Sequence, residues 1–239
     1  MLKLLPVLWN AQTPVATLPR QPWTAEIRPR LRRYFPLKLI GIPLFTGLFL
    51  IGYFHVLRHP AYAVTVMPLT ALDLMIPFQP QVMLVYVSLW VYVGVAPGLQ
   101  LTLAELAVYT LWFGALCITG LVCFYFWPTQ VPPLTPDTAN FPGVALLHRV
   151  DAAGNACPSL HVAAAIFTAI RVEDVLRWAR SPVVLRLLNV AWFAAIAYST
   201  LALKQHVVLD VVAGALFGAA FALPSLRWRP HGGHNSSAA

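Results

Sequence analysis

Charge is confined to narrow strips of this 239-residue chain, and the uncharged runs between them have the length of a bilayer crossing. Nineteen uncharged residues separate Lys38 from Arg58, 31 separate Asp73 from Glu105, 31 more separate Glu105 from Asp137, and 19 lie between Asp151 and Arg171. Runs of 17 and 16 follow, from Arg186 to Lys204 and from Asp210 to Arg227. Inside hydrocarbon the backbone must bond to itself, and a helix of about 20 apolar residues spans it. A chain that is 59% hydrophobic and 10% charged cannot cover itself with a water-soluble surface. The fold class expected is therefore all-α, a polytopic membrane bundle. With the long runs trimmed at Pro80 and Pro128, where helices should begin or stop, the sequence predicts about six transmembrane helices: 37–57, 81–97, 102–127, 157–173, 184–203 and 207–225.

Short loops rich in Lys and Arg stay on the cytoplasmic side. With the N-terminus inside, that side holds 13 of the 16 basic residues, leaving only Arg58, Arg149 and Lys204 outside. The net charge of +8 thus reads as a topology signal and not as a nucleic-acid footprint, and both termini are expected in the cytoplasm. Three parts follow: a basic arm over 1–36, a membrane domain over 37–226 and a solvated, disordered tail over 227–239. The arm carries six prolines and no sustained apolar stretch, which argues against a signal peptide. Its segment 23–35, basic with Trp23, Ile27, Leu31, Tyr34 and Phe35, suits either a helix lying along the inner headgroups or a plain disordered arm. The longest connection, 128–156, lies outside. Cys117, Cys123 and Cys157 are too few and too oddly spaced for a disulfide framework and read as inert thiols.

Ionisable residues at helix ends are costly in this setting unless they have a partner or a task. Two groups stand out, both at the outer ends of the last three predicted helices. The first is Cys157-Pro158-Ser159-Leu160-His161. Pro158 at the first helical position would pre-organise a helix start whose free N–H groups favour an anion, with Ser159 as a hydroxyl donor and His161 in the first turn. The second runs from Ser199 through Lys204 and His206 to Asp210. His206 and Asp210 are four residues apart, so the carboxylate can hold one imidazole nitrogen and leave the other as nucleophile or base. Each group alone also reads as a capped helix end. Together they offer two histidines, an orienting carboxylate, a cation and a helix N-terminus in one leaflet, which suits phosphoryl chemistry.

Pro158-Ser159-Leu160-His161, followed by Ser199, His206 and Asp210 in that order and spacing, resembles the second and third motifs of the type 2 phosphatidic acid phosphatase superfamily, PSGH and SRxxxxxHxxxD. Ile76-Pro77-Phe78 and Phe126-Trp127-Pro128-Thr129 look like the branch that holds bacterial lipid phosphatases and inositol phosphorylceramide synthases, so the resemblance covers roughly residues 70–222. It implies that His206 attacks phosphorus and becomes a phosphohistidine, that Asp210 orients it, that His161 protonates the leaving oxygen, and that Ser159 and Ser199 hold phosphate oxygens. It also implies no metal and no cofactor, a lipid phosphate or diphosphate as substrate, membrane lipids as surroundings, and an active site on the outer face of what in this branch is a bacterial inner membrane. Two departures stand against it. The first motif, KxxxxxxRP, has no counterpart, and the third motif's Arg is Thr200. Lys204 and Arg149 are the candidate replacement clamps.

Hydrolysis by water and transfer to an alcohol acceptor both fit these residues. A transporter lined by the polar groups, a protease using Ser159, and a metal site of His161, His206 and Asp210 are the competing readings. His148 is a further candidate to line the site, and Asp73 reads as a cap or anchor of a surface segment.

Overall fold

The computed structural model describes residues 22–132, 141–150 and 154–228. The first 21 residues of the basic arm, Asp151 and all but the start of the C-terminal tail lie outside the described residues. Helices α1 (Trp23–Arg32) and α2 (Phe35–Arg58) open the chain, and β1 (Thr65–Val66) and the short α3 (Ala71–Met75) follow. A 3-10 turn at Pro80–Val82 leads into α4 (Met83–Val87), α5 (Leu89–Gly98) and α6 (Leu103–Phe126). The order ends with β2 (Thr129–Gln130), α7 (Pro142–Val150), α8 (Leu160–Trp178), α9 (Val183–Ala202) and α10 (Val208–Arg227). The two strands form one short parallel pair.

Among the described residues, five stretches are long and apolar enough to cross a membrane: Phe35–Arg58, Pro80–Gly98, Leu103–Phe126, Val183–Ala202 and Val208–Arg227. The protein is an integral membrane protein. The predicted helix 81–97 has a joint at Ser88, where α4 passes into α5 and the hydroxyl donates to Val85 O. The helix expected over 157–173 differs at both ends. It begins at Leu160 because Ser159, not Pro158, is the cap: its Oγ accepts from Val162 N at 3.3 Å. It runs on to Trp178 because Glu173 is neutralised by Arg177 at 2.6 Å and by Arg186 at 2.7 Å, so charges that look like loop sequence are helical.

Helix α8 is the centre of the bundle, packed against α10, α9 and α5, with more than half of its residues buried. Small residues on α10 allow that contact. A Cβ added at Gly214 would stand 2.4 Å from Ser159 O, and one at Gly218 would stand 2.3 Å from Ala163 O. The two backbones therefore meet directly, and Ser159 N donates to Asp210 O at 3.1 Å. Close glycine contacts are a usual way for helices to associate where lipid offers no hydrophobic drive.

The opposite end of the bundle is closed by α1, so residues 23–32 form a helix and not a disordered arm. Arg30 is buried there, with Nη1 donating to Leu99 O at 3.3 Å and to Glu105 at 3.4 Å, and its guanidinium lies 4.7 Å from the Trp178 ring. Lys38 Nζ donates to the carbonyls of Arg30, Gly98 and Gln100 at 2.7, 2.9 and 2.7 Å, which uses all three ammonium protons. Arg171 bonds Ser225 O and Gln100 Oε1.

Candidate active site

The tight α8–α10 contact places the two predicted motifs side by side. His161, in the first turn of α8, turns Nδ1 toward His206 Nε2 at 3.5 Å, with the ring centroids 5.6 Å apart. Asp210 stands behind His206. Its Oδ2 lies 3.6 Å from His206 Nδ1, a contact longer than a hydrogen bond, because the same oxygen accepts from Val207 N at 2.9 Å as it reaches back over the start of α10. Asp210 is wholly buried, and neither its Oδ1 nor His206 Nδ1 has a hydrogen-bond partner. A carboxylate removed from water in this way interacts strongly with any positive charge that develops on the neighbouring ring.

The turn that carries His206 is folded on Thr200, whose carbonyl accepts from Gln205 N at 3.0 Å and His206 N at 3.2 Å. Lys204 sits in this turn with φ of +58°, a left-handed conformation that costs a non-glycine residue about 1 kcal/mol. Its ammonium points to a different place from the one expected of a phosphate clamp: Nζ donates to Asp73 O at 3.0 Å and to Ile76 O at 2.5 Å, closing the end of α3. Burial lowers the Lys204 pKa, and the charge of Asp73 works against that. Asp73 completes the clamp. Its Oδ1 accepts from Val208 N at 2.8 Å, and its Oδ2 accepts from the backbone and hydroxyl of Thr70 at 2.8 and 2.7 Å. The surface segment that Asp73 anchors is thus tied to the first turn of α10.

Of the other predicted residues, Ser159 is fully buried, with its Oγ capping α8 and its N–H bound to α10. Ser199 is also fully buried, and its hydroxyl donates to Ile196 O at 2.6 Å. Arg149 and His148 fall in the last turn of α7, and their side chains lie outside the described residues. Burial, followed by the charge of Asp210 and by Cys123, pushes the Cys157 thiol up to about 11, so it stays protonated and unreactive at neutral pH. Among the described residues, no three His, Cys, Asp or Glu side chains are gathered as a metal ion would need.

One neighbour escaped the sequence reading. Tyr86 of α4 lies against His161, with ring centroids 4.9 Å apart and its hydroxyl 2.8 Å from Nε2. Both residues line an apolar cavity of about 200 Å³ under α2, walled by Phe45, Phe49, Trp90, Val93, Phe113 and Phe124. Tyr53 and Asn155, hydrogen-bonded to one another, supply polar atoms at its rim.

The sequence model of the PAP2 superfamily matches residues 125–232, a stretch that holds α8, α9 and α10 with all the motif residues and excludes Tyr86 and α2. No curated protein and no solved structure matches the chain.

Proposed function

From the membership of residues 125–232 in the PAP2 superfamily, whose proteins are phosphatases or phosphotransferases, we propose that this membrane protein cleaves lipid phosphates through a phosphohistidine on His206. The observation that carries the reading is the line Asp210–His206–His161, with contacts of 3.6 and 3.5 Å, set beside an apolar cavity. A substrate phosphorus entering at the His206–His161 contact would meet His206 Nε2 as nucleophile. The N–P bond forms as the P–O bond to the lipid breaks, and the proton on His161 Nδ1 passes to the leaving oxygen. In the second half water attacks phosphorus and gives its proton to His161, and the N–P electron pair returns to His206. The ring gains positive charge as it is phosphorylated, and buried Asp210 favours that state over the neutral ground state, which is how an electrostatic contact accelerates a reaction.

The shape of the interior supports a lipid. A second apolar cavity shares Phe45, Thr46, Val93 and Phe113 with the first and reaches Lys38. Between them they follow α2 from Leu37 to Phe54, about 25 Å at the helical rise, which is room for a hydrocarbon chain. The basic residues at the other end orient the histidines to the outer face, with both termini in the cytoplasm. Transfer to an alcohol acceptor in the second half-reaction is a variant of the same chemistry.

Purified protein assayed on a panel of lipid phosphates and diphosphates, with and without alcohol acceptors and chelator, tests this. Phosphate release without alcohol establishes hydrolysis, and formation of a phosphorylated alcohol, with no free phosphate when alcohol is left out, establishes transfer. A His206→Ala protein that turns over like the wild type overturns the reading.

A further inference from the structure

We propose that the inner stripe of α2 holds a hydrocarbon chain of the substrate and that the ring of Phe45, set against Phe113, sorts those chains by length; this rests on the lipid-phosphate reading above. The stripe is Gly41, Phe45, Phe49 and Tyr53, spaced four residues apart so that each lies about one turn from the next. All four line the two apolar cavities, whose volumes are about 200 and 320 Å³. The side chains change in order along it. Tyr53, whose hydroxyl accepts from Asn155, stands in the first cavity with His161 in the same wall. Phe49 and Phe45 follow. Gly41, in the wall of the second cavity, leaves open space, since a Cβ added there would meet nothing within 4 Å. Lys38 closes the far end, with its three protons taken by carbonyls.

Phe45 and Phe113 belong to both cavities and so stand where the two meet, with ring centroids 5.8 Å apart. Phe113 is held from behind, stacked on Tyr109 at 5.6 Å and edge-on to Phe167 at 5.3 Å. Phe45 is carried by α2, the least buried of the five apolar spans, so its ring is the one free to give way. Position along the stripe converts to chain length. From Phe54 to Phe45 is about 13 Å at the helical rise, and an extended chain advances about 3.6 Å for every three bonds, so a chain of about ten carbons fills the first cavity. A longer chain must pass the Phe45–Phe113 pair to use the space beside Gly41. Lipid tails are as apolar as these walls, so a chain gains little by leaving the bilayer for the cavity, and length is read by steric fit.

The test uses the full-length protein in lipid nanodiscs with saturated alkyl phosphates from octyl to octadecyl, and reads kcat/KM for each. Phe45→Leu, which opens the constriction, raises the octadecyl-to-octyl ratio about 10-fold, and Gly41→Leu, which fills the space beyond it, lowers the same ratio about 10-fold. A general loss of activity divides out of the ratio, so damaged packing cannot produce shifts of opposite sign. A ratio that neither variant moves overturns the proposal, as does one that both move in the same direction. Alkyl phosphonates with a photoreactive diazirine at the chain end add a readout that needs no turnover and, should the variants not fold, decides on wild-type protein alone. The decyl probe labels the chain around Phe45 and Phe49, and the octadecyl probe labels it around Gly41. Labels of both lengths on the lipid-facing Ile40 and Ile51 would mean that the cavities hold bilayer lipid only, which overturns the proposal. If no alkyl phosphate releases phosphate, the lipid-phosphate reading fails while the labels still decide this proposal; release that ignores chain length in all three proteins sinks this proposal alone.

Discussion

The two ends of the bundle both bury ionisable groups, and they differ in what those groups are bonded to. At the α1 end Lys38 has a carbonyl for each of its protons, and Arg30 and Arg171 share Glu105, Gln100 and backbone oxygens. At the histidine end the buried Asp210–His206 pair stands at 3.6 Å, with His206 Nδ1 and Asp210 Oδ1 outside any hydrogen bond. Bonds that run from side chains of one helix to the backbone of another hold helices together. Under the proposed function, the unbonded Asp210 oxygen beside His206 is placed to balance the charge of a phosphorylated ring.

The sharpest way to break the contrast is to exchange the consequences of mutation between the ends. His206→Ala should lower lipid-phosphate turnover by at least about 10³-fold while leaving the thermal unfolding midpoint in detergent almost unmoved. Asp210→Asn should follow, at about 10²- to 10⁴-fold in kcat, since an amide can hold the wrong tautomer of His206 and cannot balance the charged ring. A midpoint that falls as far as the turnover would mean that the histidine end is structural too.

At the other end the expected pattern is inverted. Lys38→Met leaves the carbonyls of Arg30, Gly98 and Gln100 without their donor and should cost about 1–3 kcal/mol of stability, read as a lower midpoint, with kcat unchanged. Loss of turnover without loss of stability would show that the α1 end takes part in the chemistry.

How much of this could be read from residues alone follows the same division. The spans were legible because charges fence them, and the motif residues because His206 and Asp210 lie one helical turn apart. In sequence Arg30 looks like one more charge of the basic arm and Lys38 like the charged start of the first span; nothing local announces that they fold back on Gly98, Leu99, Gln100 and Glu105, 60 to 75 residues away. Tyr86 is one aromatic residue in an apolar run, and its bond to His161 spans 75 positions. Lys204 was the most misleading. Its position beside His206 suggests a phosphate clamp, but a left-handed turn that no glycine marks sends its side chain to the carbonyls of α3.

The α3 clamp lies close to the histidines and is held by bonds of Lys204 and Asp73, and it predicts the smallest effects. Lys204→Met should lower kcat by about 10-fold or less through a looser His206 turn, whereas a direct phosphate contact would raise KM instead. Asp73 adds a pH signature. Burial acts against its charge, but the bonds from Thr70 and Val208, with Lys204 nearby, outweigh it and hold the carboxyl below its usual range. A carboxyl with a depressed folded pKa contributes stability that is fully present above its unfolded value, about 3.9, and is lost as pH falls through the folded value. Wild-type protein should therefore keep its unfolding midpoint through neutral and mildly acidic buffer and lose this contribution only below about pH 4. Asp73→Asn should start from a lower midpoint at neutral pH and lose less on acidification, because the group that titrates is gone. Equal acid sensitivity of the two proteins would mean that the clamp does not depend on the charge of Asp73, and that the histidine end is held by the α8–α10 contact alone.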